Sequence, residues 1–147
     1  LVLVLGRRGT GKTTLARRLS EAWPGRVYAH DPLAVLPPEW PEVSEAVLDQ
    51  PGSLVVLDEV DLLCSPAGYA EGWLRQLVHY GRHYGVSVIG TSRRPANIHR
   101  DLTALASEVY LGRITEPRDL DYCVRAWGEI CRGARDLPPY KFLHIFP

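Results

Sequence analysis

The chain has 147 residues, 46% of them hydrophobic, and its 17 basic and 17 acidic side chains cancel to a formal net charge of zero. That length suits one compact domain, 1–147, which buries about two-thirds of the surface its unfolded form exposes and needs no disulfide or zinc staple. Zero net charge excludes a domain that is basic throughout and leaves any nucleic-acid contact to a local face. No apolar run reaches the roughly 18 to 20 residues of a membrane span.

The apolar run Leu1 to Leu5 ends at glycine, as a strand buried on both faces of a parallel sheet does. Thr13 to Ala22 then reads as a helix and Arg26 to His30 as a second strand. Pro32, Pro37, Pro38 and Pro41 cannot lie inside a helix and predict a surface loop. Val43 to Leu48 reads as a short helix, Pro51-Gly52 as a turn, and Leu54 to Leu57 as a third strand that stops at Asp58. Trp73, Leu74, Leu77, Val78 and Gly81 recur at helical spacing, which predicts a helix over Ala70 to Tyr84 capped by Gly85. A strand over Val86 to Thr91, a short helix over Ile98 to Ala106, a strand over Glu108 to Leu111 and a helix over Asp119 to Cys131 follow. Tyr140 to Phe146 can add a last strand. Strands alternating with helices are the α/β pattern, a parallel sheet flanked by helices.

The sharpest chemistry is Gly6-Arg7-Arg8-Gly9-Thr10-Gly11-Lys12-Thr13, which fits GxxxxGK[ST] between a buried strand and a helix, the setting that a phosphate-binding P-loop requires. Glycines let successive N–H groups converge on phosphate oxygens, and the helix presents the positive end of its dipole to the same anion. Lys12 is placed to reach the β- and γ-phosphates, the Thr13 hydroxyl to ligate Mg²⁺, and Thr14 to extend the cradle. The second motif is Leu54 to Leu57 followed by Asp58-Glu59, the shape of a Walker B strand. Neighbouring strand residues point opposite ways, so Asp58 can serve Mg²⁺ while Glu59 polarises an attacking water. ATP and Mg²⁺ are therefore the expected ligands of an ATP-hydrolysing P-loop NTPase, and Asp61 is expected to cap a helix.

The adjacent Asp-Glu pair resembles that of P-loop ATPases with a catalytic glutamate, the additional-strand type. That resemblance implies a strand inserted between the Walker A and Walker B strands, here Val86 to Thr91. Thr91-Ser92-Arg93-Arg94-Pro95-Ala96-Asn97-Ile98, with the later run from Leu111 to Tyr122, resembles the FtsK/HerA-like ATPases, above all viral genome-packaging ATPases and phage assembly proteins of the zonula occludens toxin type. The resemblance implies a ring-forming homo-oligomer that moves double-stranded DNA, with an arginine finger reaching a neighbour's γ-phosphate. Arg93, Arg94 and Arg113 are the candidates, Arg94 and Arg113 the preferred pair. Where the family pattern has a sensor glutamine this chain has Arg93, so sensing falls to that cation or to Thr91. An ATP-dependent switch or scaffold of slow turnover stands as the alternative, and a small-molecule kinase as a third reading.

Other features read as structural. Arg75, His79 and Arg82 make a basic helix stripe able to meet phosphate backbones or simply to face solvent. Trp23, Trp40, Trp73 and Trp127 are scattered and expected to pack in the core or at its edge. His30, His99 and His144 look isolated, with no metal-ligand spacing. Cys64, Cys123 and Cys131 show no CxxC pair and are expected as reduced core thiols. They point to a cytoplasmic location, or a virus- or phage-associated one within a host cell. The chain has no methionine, so Leu1 is expected to stand inside a longer or processed product.

Overall fold

The computed structural model describes residues 1–33 and 35–147; within the loop expected from Pro32 to Pro41, Ala34 lies outside the described residues. Strand β1 (Val2–Leu5) leads through the glycine-rich loop into helix α1 (Lys12–Glu21), followed by β2 (Val27–His30) and β3 (Leu54–Leu57). A two-residue-per-strand hairpin, β4 (Cys64–Ser65) and β5 (Gly68–Tyr69), precedes α2 (Gly72–Tyr80) and β6 (Ser87–Ser92). Helix α3 (Arg100–Ala104), strand β7 (Glu108–Leu111), helix α4 (Pro117–Trp127) and strand β8 (Leu143–Ile145) complete the chain.

Six strands form one sheet in the order β2-β3-β6-β1-β7-β8. The first five are mutually parallel, and β8 pairs antiparallel with β7. Strand β6 lies between β1 and β3, which is the inserted strand of the additional-strand type. Because β1 and β3 are central, nearly all their side chains are buried, and the two faces carry separate apolar clusters. One cluster holds Leu3, Leu5, Val55, Leu57, Leu74 and Leu77. The other packs Ala16 of α1 against Val4, Val56 and Ile89.

Three elements differ from the sequence expectation. The helix expected over Ala70 to Tyr84 begins at Gly72, because Cys64 to Tyr69 pairs as a hairpin, and it ends at Tyr80. Gly85 does take a left-handed φ of 70°, but in the turn leading to β6 and not at the helix end. The helix expected over Asp119 to Cys131 is displaced towards the N-terminus. Pro117 occupies its first turn, the Glu116 carboxylate accepts the Asp119 N–H, and Gly128 stops it with a φ of 92°. Residues Glu129–Asp136 then form a separate 3₁₀ segment. The short helix expected over Val43 to Leu48 is a 3₁₀ turn at Glu45–Asp49.

Candidate nucleotide site

The phosphate loop leaves the C-terminal end of β1 and is tied to both neighbouring strands. The Gly6 N–H donates to the Ser92 carbonyl at 3.1 Å and the Arg7 N–H to the Arg113 carbonyl at 2.8 Å. Helix α1 opens at Gly11, which holds a left-handed φ of 92°, with no side-chain cap and no acid in the first turn. Its first N–H groups are thus left for an anion from outside the helix. Lys12 lies back along the loop, its Nζ 3.5 Å from the Arg7 carbonyl, and burial pulls its pKa below the ordinary lysine value. Thr10 braces the loop from within, its hydroxyl donating to the same carbonyl at 2.9 Å.

Walker B geometry meets the loop at Thr13. The Thr13 hydroxyl donates to Asp58 Oδ2 at 3.1 Å, so two hard oxygen donors stand side by side at the start of α1. That donor pair is the kind Mg²⁺ selects, and the residues fit the ion. Asp58 is 1% exposed, and its other oxygen accepts the Thr91 hydroxyl at 2.5 Å. The Thr91 oxygen in turn accepts the Glu59 N–H at 3.1 Å. Thr91 therefore ties the Asp58 carboxylate and the Glu59 backbone to the inserted strand, a positioning role that the sequence did not signal.

Glu59 is the most unusual residue of the site. Its φ of 50° is one of two left-handed values at non-glycine residues among the described residues, and its carboxylate oxygen Oε2 is buried without a hydrogen-bond partner. Burial raises its pKa, opposed by the Lys12 charge. The Arg93 Nε stands 3.5 Å from that oxygen, an ion pair without a hydrogen bond. A cleft of about 550 Å³ joins Arg8, Gly9, Gly11, Lys12, Thr13 and Thr14 to Glu59 and Arg93.

The three candidate arginines separate in the fold. Arg93 faces the cleft. Arg94 turns away: its Nε lies 2.9 Å from Asp119 Oδ2, close enough for an ion pair though not aligned as a hydrogen bond, and its Nη2 lies 3.9 Å from Glu116. Asp119 is 1% exposed and also accepts the Ala96 N–H at 3.0 Å, so Arg94 is committed within its own domain. Arg113 is half-buried beside the loop, its Nε 3.3 Å from the Arg135 carbonyl.

Several side-chain expectations change. His79 pairs with Asp101 at 2.7 Å, so the basic stripe is interrupted, with Arg75 exposed on α2 and Arg82 exposed in the turn beyond the helix end. His30, His99 and His144 are not isolated, since His30 stands 3.7 Å from Glu42, His99 shares Asp101 with His79, and His144 pairs with Glu108 at 3.0 Å. The His79–Asp101 and His144–Glu108 contacts join elements distant in sequence, which local spacing does not signal, whereas Asp101 stands only two residues from His99. No metal-binding group of three or more His, Cys, Asp or Glu occurs among the described residues. Asp61 does not cap a helix: it lies inside the 3₁₀ segment Val60–Leu62, whose N-cap position is Glu59, and accepts the Ser92 hydroxyl at 2.8 Å. The tryptophans pack against the two clusters, and the three cysteines are free and buried.

Comparison with known proteins places this geometry. The genome-packaging NTPase B204 of Sulfolobus turreted icosahedral virus 2, in complex with ATP-γ-S, superposes with a TM-score of 0.80 over 99% of this chain and 91% of its own, at 14% identity. The N-terminal domain of zonular occludens toxin from Neisseria meningitidis gives 0.55 over 74% of each chain at 17% identity. The pCW3 conjugation coupling protein TcpA with ATPγS gives 0.68 over 99% of this chain and 56% of its own, at 16% identity. At such identities the likeness is one of fold, that of P-loop ATPases. Among curated proteins none matches the chain in sequence. The family model "ATPase family associated with various cellular activities (AAA)" matches residues 2–113. That span runs from β1 past β7 and takes in the phosphate loop, Asp58, Glu59 and all five parallel strands, and the chain belongs to this family of ATPases.

Proposed function

We propose that residues 1–147 form one ATPase domain that couples Mg²⁺-dependent ATP hydrolysis to the movement of double-stranded DNA, acting as a homo-oligomeric ring. The observation that carries the hydrolytic half is Glu59. A carboxylate oxygen that is buried, faced by the Arg93 charge but without a hydrogen-bond partner, and set on the phosphate-loop cleft keeps part of the cost of its own desolvation unless a ligand satisfies it. A water on the γ-phosphate side is that ligand. Its oxygen bonds to the γ-phosphorus as the bond to the β–γ bridging oxygen breaks, giving ADP and phosphate, and Glu59 takes the proton.

Gly6, Arg7, Arg8, Gly9, Thr10, Gly11, Lys12, Thr13 and Thr14 form the cradle, with Lys12 offsetting charge on the β- and γ-phosphates. Thr13 and Asp58 would hold Mg²⁺, which supplies charge neutralisation at the phosphate oxygens. Arg93 stands on the γ-phosphate side of its own domain. Of the arginines suggested for reaching a neighbouring subunit, Arg113 is left, since the Asp119 ion pair occupies Arg94.

DNA as the track draws support from the relatives of like fold, described as genome-packaging and conjugation coupling proteins. A cytoplasmic setting, or one within an infected cell, fits that role. The test is displacement of the third strand from a triplex on double-stranded DNA. ATP-driven displacement that disappears in Glu59→Gln supports the reading, and hydrolysis with no displacement rules out translocation. The Arg93 to Glu59 ion pair favours one second reading, a slow nucleotide-dependent switch, because it keeps Glu59 occupied at rest.

A further inference from the structure

The cleft has two ends, and the hydrolytic groups account for only one. The sheet order sets β3 and β6 on one side of β1, and β7 and β8 on the other. Asp58 and Glu59 follow β3 and Arg93 follows β6, so a triphosphate with its γ end there runs its sugar and base towards the β7 and β8 side. On that side the cleft wall is Tyr140.

Tyr140 is the other non-glycine residue with left-handed backbone, at a φ of 60°. Bulky side chains rarely adopt that region, and a structure keeps one there when surrounding contacts over-determine it. Three contacts do so here. The Tyr140 N–H donates to the Thr10 carbonyl at 3.0 Å, which fixes the turn to the phosphate loop itself. The ring covers Gly11 so closely that a Cβ there would stand 2.5 Å from the ring carbon Cδ1. Phe142 anchors the turn from the far side, its ring on Gly112 at the end of β7. Yet Tyr140 remains 68% exposed, so its own chain covers little of the ring.

We infer that Tyr140 is the stacking platform for the nucleotide base. The inference rests on the ATPase reading above and assigns the end of the site that reads the base. The Cδ1–Cε1 side of the ring meets the phosphate loop at Gly11, and the exposed remainder is open to a flat apolar partner at the α-phosphate end of the cleft. Any base has a π-face, and a purine offers the larger one, so the platform favours purine over pyrimidine nucleotides without choosing between adenine and guanine.

The experiment is equilibrium binding of ATP, CTP and inorganic tripolyphosphate to the unaltered chain, Tyr140→Asn and Tyr140→Phe. Asparagine tolerates the left-handed backbone, so the first variant removes the ring without adding strain. Stacking predicts that Tyr140→Asn weakens ATP about five- to a hundredfold, leaves tripolyphosphate unchanged and narrows the preference for ATP over CTP, while Tyr140→Phe binds as the unaltered chain does. Parallel loss of ATP and tripolyphosphate would mean that the ring only supports the loop, and unchanged ATP affinity would mean that it touches no base; either result overturns the inference. An unaltered chain that binds neither ligand overturns the ATPase reading itself, a separate outcome.

Discussion

Glu59 concentrates the cost of function in one residue. A left-handed glutamate costs about 1–3 kcal/mol of backbone strain, and its buried oxygen adds an unmet desolvation cost. Glu59→Gln keeps the shape and removes the base, so turnover falls by about 10²- to 10⁴-fold while ATP still binds, as single-turnover and binding measurements on the variant will read. The pH dependence has a definite sign. Burial raises the Glu59 pKa above its ordinary 4.5, and only the ionised form accepts the proton. As pH falls through that raised value the carboxylate protonates and kcat/KM declines, so the acid limb lies above the range of an exposed glutamate. Arg94 gives a contrasting prediction. Removing it leaves Asp119 buried beside only the Ala96 N–H, so Arg94→Ala loses about 1–3 kcal/mol of stability in a denaturant titration, and lost activity in that variant is no evidence of a finger.

At the scale of elements, β1 and β3 were legible because they are buried on both faces and carry unbroken apolar runs, whereas β6, equally buried, shows only Val88 and Ile89 between polar ends. The hairpin β4–β5 was not, since strands of two residues are too short to show a period of two. The frame of α4 had its signals in plain sight: Glu116-Pro117 at the start and Gly128 beyond the end. Apolar spacing from Leu120 to Cys131 drew the expected helix across that glycine. Gly128 has a φ of 92° and ψ of 176°, a region open essentially to glycine alone, and nothing would crowd a Cβ there. Gly128→Ala therefore destabilises by about 1–3 kcal/mol through conformation alone, measurable as a lowered unfolding midpoint with an unchanged slope.

Across the whole molecule, the phosphate loop and the Asp58-Glu59 pair were readable because each is contiguous in sequence and keeps its chemistry at one strand end. What sequence hid is what the fold assembles from afar. Tyr140 meets Gly11 across most of the chain, Thr91 meets both acids from the inserted strand, and Asp119 captures Arg94. No local pattern marks a contact whose partners are set by sheet order. That order also puts Arg113 beside the loop on the β7 side and Arg93 on the β6 side. The most direct measurement is ATP turnover per subunit across a range of protein concentrations, with and without double-stranded DNA, for the unaltered chain and Glu59→Gln. The account predicts turnover that rises cooperatively with concentration, is stimulated by DNA and vanishes in the variant; turnover per subunit that is flat with concentration and indifferent to DNA would contradict it.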